Sequence, residues 1–130
     1  MSFRIPYNLD ELACALREKD ENTYLCAGGT DLVIHLRKEK NFHYSLIDLT
    51  HLPELSQITE TEDMVVIGAG VTMTELEQSP VIRTWIPALA KAASMVGSTQ
   101  IRNRATLGGN IANASQSSDT TPVLLAYGAE

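Results

Sequence analysis

The sequence predicts an α/β (α+β) protein: a small parallel βαβ lobe followed by a larger mixed or antiparallel one. Two observations carry this. Tyr24-Leu25-Cys26-Ala27 reads as a short buried strand, Gly28-Gly29-Thr30-Asp31 breaks it, and Leu32-Val33-Ile34-His35-Leu36-Arg37 resumes as a helix before a second strand over 45–49. Strand, turn, helix, strand is the order that joins parallel neighbours. Residues 55–59 and 64–67, by contrast, look like paired strands across the polar turn 60–63.

The remaining elements follow from their ends. Asn8 and Glu11 are spaced as a capping box, and Leu9, Leu12, Ala13 and Leu16 then keep helical spacing on one face. Thr72 and Glu75 repeat that box and open a short helix through Gln78. Pro87 suits a first helical position, Ala88, Leu89, Ala92, Ala93 and Val96 continue a small-residue helix, and Gly97 is placed to end it. The polar, glycine-rich stretch 98–113 predicts a loop or irregular strand. Asp119 is expected to cap a last helix containing Pro122, Val123, Leu124 and Leu125. The boundary between lobes falls near 50–56, giving segments 1–55 and 56–130. Apolar residues lead into the end at Glu130, which reads as a truncation.

Composition excludes several classes. The 130 residues are 44% hydrophobic, enough for a modest globular core. No apolar run approaches the roughly 20 residues of a membrane span, and the N-terminus lacks a signal-peptide core, so a cytoplasmic location is expected. Cys14 and Cys26 have no metal-ligand spacing, and His35, His43 and His51 are scattered, so no metal site is expected. A net charge of −6 argues against nucleic-acid binding. The charge is uneven, however. Residues 79–118 contain Arg83, Lys91, Arg102 and Arg104 and no carboxylate, which marks a candidate anion site.

Two glycine pairs carry the chemistry. In Leu25-Cys26-Ala27-Gly28-Gly29-Thr30-Asp31-Leu32, a strand runs through two glycines into a helix. Such a turn exposes backbone N–H groups to a phosphate and lets the backbone approach closely. Thr30 adds a hydroxyl donor, whereas Asp31 repels an anion and is expected instead to cap the helix or to accept hydrogen bonds from loop amides. In Thr106-Leu107-Gly108-Gly109-Asn110, within the acid-free segment, glycines again suit close approach, with Thr106 and Asn110 as polar partners. Each loop alone could be an ordinary turn; together they suit a dinucleotide-sized diphosphate. Ile67-Gly68-Ala69-Gly70 imitates a Rossmann fingerprint, but Met73 stands at the third glycine position, and no acidic residue lies between Glu77 and Asp119 to hold a ribose. Gly68 and Gly70 are therefore read as a strand end or bulge. No acid, base or nucleophile stands out, and no catalytic residue is assigned.

The two loops resemble those of the flavin-binding subunit of the molybdenum hydroxylases, the group that includes the xanthine, carbon monoxide and nicotinate dehydrogenase families. Ala27-Gly28-Gly29-Thr30-Asp31-Leu32 is similar to the first FAD loop. The long match runs from Gln100 through Ile101-Arg102-Asn103-Arg104-Ala105-Thr106-Leu107-Gly108-Gly109-Asn110 to Ser118-Asp119. The resemblance implies a two-lobed FAD domain of the vanillyl-alcohol oxidase type, with FAD between the lobes. Leu25, Cys26, Ala27, Gly28, Gly29, Thr30, Asp31 and Leu32 would follow the diphosphate. Thr106, Gly109, Asn110 and Asp119 would contact the flavin half or its ribityl–phosphate chain, and Val96 would make an apolar contact. It also implies an oxidoreductase partnered by a molybdenum-cofactor subunit and a [2Fe-2S] subunit, relaying electrons through FAD to an acceptor such as NAD. Family subunits continue well past the point matching Glu130, so a cofactor-free scaffold or assembly remnant of the same fold is the alternative.

Overall fold

A computed structural model describes residues 2–39 and 43–130. Its first half is a three-stranded parallel sheet of β1 (Ser2–Arg4), β2 (Thr23–Cys26) and β3 (Ser45–Asp48), in the order β1-β3-β2. Helices α1 (Leu9–Arg17) and α2 (Leu32–Lys38) make the crossovers. Local chemistry places α1 as expected. Asn8 Oδ1 accepts from the Glu11 N–H at 2.9 Å, and the Glu11 carboxylate reaches back to the Tyr7 N–H at 2.8 Å. The helical periodicity is less faithful to burial, because Ala15 is buried while Leu9 and Leu16 are exposed.

The strand through Leu25 is correctly placed but not buried. β2 lies at the sheet edge, and Leu25 remains exposed. The buried strand is β3, whose Leu46 and Ile47 lie between two neighbours. Strand β1 has only three residues and no alternation long enough to read from sequence.

A 3₁₀ turn at Pro53–Leu55 leads into the antiparallel pair β4 (Ile58–Glu60) and β5 (Val65–Ile67). The first strand starts later than expected because Leu55 belongs to that turn and Ser56 caps it. Gly68 and Gly70 do mark the end of β5. A Cβ on Gly68 would lie 2.2 Å from the Leu55 carbonyl oxygen, and the Gly70 N–H donates to that same oxygen at 2.7 Å.

Six short helices follow: α3 (Met73–Gln78), α4 (Pro80–Trp85), α5 (Pro87–Met95), α6 (Thr99–Arg102), α7 (Leu107–Ala112) and α8 (Thr121–Ala126). The Thr72/Glu75 capping box is complete, with both reciprocal bonds made. Pro87 opens α5, and Gly97, at φ +48, turns the chain after it. Val71, Met73, Leu76, Ile82, Leu89, Ala93, Ala105 and Leu107 close into one buried cluster among these helices. No helix among the described residues is long and apolar enough to cross a membrane.

Within the stretch 98–113, Thr99–Arg102 and Leu107–Ala112 are helical rather than loop or strand, and Thr106 between them makes a single antiparallel bridge to Thr72. Ser98 Oγ accepts from the Ile101 N–H, and Thr106 Oγ1 accepts from the Gly109 N–H, so each short helix has its own cap. Two interior glycines cost α7 about 1 kcal/mol each, while burying Leu107 returns about 1.5–3 kcal/mol. Asp119 does not cap α8. Thr120 takes that position, and Ser118 Oγ accepts from the Thr121 N–H at 3.3 Å.

Candidate functional site

One cleft of about 700 Å³ lies between the β2–α2 turn and the segment around α7. The two glycine pairs share it, because the turn and the segment touch. A Cβ on Gly28 would sit 2.1 Å from the Arg104 carbonyl oxygen, and one on Gly108 would sit 2.7 Å from the Ala69 Cβ. Only glycine permits backbone to pack on backbone this closely. Gly29 completes the first turn in the left-handed region, at φ +71.

The turns differ in what they offer a ligand. Among the described residues, none accepts a hydrogen bond from the backbone N–H of Gly28, Gly29, Thr30 or Asp31. Those donors are available to an anion. The N–H groups of the second turn are already spent. Leu107 donates to the Val71 carbonyl at 2.9 Å, Gly108 to Ala69 at 2.8 Å, Gly109 to Thr106 Oγ1 at 3.1 Å and Asn110 to the Thr106 carbonyl at 2.9 Å. Unlike the first turn, the second therefore presents no free backbone amide. The second turn contributes surface and side chains, because its amides hold α7 against the end of β5 and cap its own first turn.

The cleft wall includes Leu25, Ala27, Gly28, Gly29, Thr30, Asp31, Leu32, Val96, Thr106, Gly109 and Asn110, which the sequence picked out. Cys26 and Asp119 are not on the wall. Asp31 stands at the N-cap of α2 but makes no capping bond; its carboxylate accepts from Thr30 Oγ1 at 3.4 Å. The wall also takes residues the sequence reading left out, among them Ile34, His35, Lys38, Ala69 and Gly70. Residues 31, 34, 35 and 38 follow helical spacing, so the face of α2 next to the first turn was the available signal.

The basic charge of the cleft also comes from an unexpected place. Arg102 is turned inward, with Nη1 donating to the Gly97 carbonyl at 3.2 Å and Nε in ion-pair contact with Glu77 at 3.4 Å. It braces the α5–α6 connection. The basic side chains on the wall are those of His35 and Lys38, and His35 faces Glu39 at 3.0 Å.

Cys26 lies behind Gly29, and burial pushes its thiol above the usual value; Asp48 adds to this and Arg104 partly offsets it. A raised thiol pKa stabilises the fold while the group is protonated. That contribution is complete below the ordinary thiol pKa and is lost as pH rises through the raised one. At pH 8 iodoacetamide is expected to label exposed Cys14 before Cys26, as mass spectrometry of timed samples would show.

All 130 residues match the family described as the FAD binding domain in molybdopterin dehydrogenase. The chain belongs to this family. Within it, the chain is 42% identical over 118 residues to the nicotinate dehydrogenase FAD-subunit of Eubacterium barkeri, an alignment covering 90% of the chain and 40% of that protein. It is 40% identical to the xanthine dehydrogenase FAD-binding subunit of Escherichia coli O157:H7, over 82% of the chain and 37% of that protein. A solved structure of carbon monoxide dehydrogenase from Hydrogenophaga pseudoflava superposes with a TM-score of 0.81 at 34% identity, over 86% of the chain and 39% of its own. The chain thus spans about two fifths of the length of these family members.

Proposed function

We propose that the protein is the FAD-holding part of a molybdenum hydroxylase. The diphosphate would lie on the free amides of Gly28, Gly29, Thr30 and Asp31, with the segments 1–55 and 56–130 as the two lobes flanking the cofactor. The observation that carries this reading is that unsatisfied set of amides, opening into a cleft whose opposite wall is fixed by internal hydrogen bonds. Lys38 adds positive charge on the same wall. Leu25, Leu32 and Val96 supply apolar contact. Cys26 would support the turn from behind, and Asp119 would act from outside the cleft.

Family membership supports FAD as the occupant. Bound FAD supplies the redox chemistry, in a relay between a [2Fe-2S] partner subunit, fed by a molybdenum-cofactor subunit, and an acceptor such as NAD. The residues here bind and orient it. A cofactor-free scaffold is the weaker reading, since that role has no use for four unpaired amides in one turn.

Titrating the purified protein with FAD and following flavin fluorescence tests the proposal. Saturable quenching is expected, with competition by adenosine diphosphate. Absence of quenching at micromolar flavin would sink the reading.

A further inference from the structure

Asn110 is held in a way that reaches beyond its place on the wall. Its Oδ1 accepts two hydroxyl protons, from Ser118 Oγ at 2.7 Å and from Thr120 Oγ1 at 2.6 Å. Thr120 is completely buried, at 0% exposure. The two ends of an asparagine amide have nearly the same shape, so only the surrounding partners decide which end faces which way. Here they decide it. Were the amide reversed, its NH₂ group would face Thr120, and the buried hydroxyl proton would have no acceptor among the described residues. Leaving a buried donor unsatisfied costs roughly 1–3 kcal/mol. Ser118 adds a second donor to Asn110, although its oxygen also accepts from the Thr121 N–H at 3.3 Å and lies 2.8 Å from Thr121 Oγ1, so the choice rests on Thr120.

The hydroxyls reach Asn110 because the chain reverses sharply after α7. Ala114 takes up a left-handed conformation, at φ 49, and the chain returns to start α8 beside the helix it has left. Val123 and Leu124 then pack α8 against the buried cluster, so the two hydroxyls are anchored to the core.

We infer that Thr120 and Ser118 are positioning residues that lock the Asn110 amide with Nδ2 as the donor it brings to the cofactor. The inference rests on the reading of the cleft as an FAD site. It gives the second turn, whose backbone amides are all spent, a polar contribution of its own. It also explains why a fully buried threonine stands where α8 begins.

The test is a set of FAD titrations on the full-length protein. Thr120→Val keeps the side chain's shape and removes the hydroxyl; FAD binding is expected to weaken about tenfold. Thr120→Ser restores the hydroxyl and should bring affinity back to within about twofold of wild type. In an Asn110→Ala background, Thr120→Val should change affinity no further, because the group it orients is gone. A merely structural threonine would instead give additive losses and no rescue by serine, and either result overturns the inference. Should Thr120→Val fail to fold, Ser118→Ala carries the same comparison. A wild-type protein that takes up no FAD would defeat the reading of the cleft, and the inference with it. A wild type that binds FAD alongside a Thr120→Val variant of equal affinity would defeat the positioning role alone.

Discussion

Gly28→Ala is expected to force the two walls of the cleft apart. The new Cβ would meet the Arg104 carbonyl oxygen at 2.1 Å and the Arg104 carbonyl carbon at 2.7 Å, both backbone atoms that cannot rotate away. Either the β2–α2 turn lifts or the chain at residues 104–105 moves, and Ala105 is part of the buried cluster. The cost should reach roughly 3 kcal/mol, the upper end for overpacking, read as a lower denaturation midpoint. FAD affinity should fall more than about tenfold, because the free amides of Gly28 and Gly29 move with the turn. A variant of unchanged stability and affinity would show that the turn does not pack as described.

Gly108→Ala is expected to be the second most damaging change, for a different reason. Its Cβ would approach the Ala69 Cβ at 2.7 Å and the Ala69 carbonyl oxygen at 2.8 Å, the same oxygen that accepts the Gly108 N–H. The substitution therefore strains the bond that holds α7 to the end of β5. Alanine in place of glycine favours the helix by about 1 kcal/mol, so the net loss should be roughly 1–2 kcal/mol. Gly109→Ala is the internal comparison. A Cβ there meets only Thr106 Oγ1, at 2.9 Å, and gains the same helical preference, so its effect should be smaller. Chemical denaturation of the three variants should rank them Gly28, Gly108, Gly109 in decreasing loss.

Much of this was legible in the sequence because it is local. Asn8 with Glu11 and Thr72 with Glu75 announce their helices within four residues; both caps form, the second as a complete box and the first with Glu11 reaching the Tyr7 N–H instead of that of Asn8. Gly28-Gly29 between a strand and a helix is punctuation of the same kind. What escaped depends on distant partners. Whether the amides of Leu107 and Gly108 are free is decided by the carbonyls of Val71 and Ala69, more than thirty residues earlier, and no pattern near Gly108 reveals them. Arg102 reads as an anion-binding cation until Glu77 and the Gly97 carbonyl are seen to hold it. Helices α6 and α7 were hidden by polar and glycine residues, which disfavour helix by propensity yet bury Leu107 once packed. The edge position of β2, which leaves Leu25 exposed on the cleft wall, follows from β3 lying between β1 and β2.

Amide hydrogen exchange, with and without saturating FAD, tests the division of labour between the two turns. Exchange at Gly28, Gly29, Thr30 and Asp31 should be fast in the free protein and slow sharply on binding. Exchange at 107–110 should already be slow without ligand. Bound flavin that leaves 28–31 unprotected, or fast exchange at 107–110 that only FAD suppresses, would contradict it.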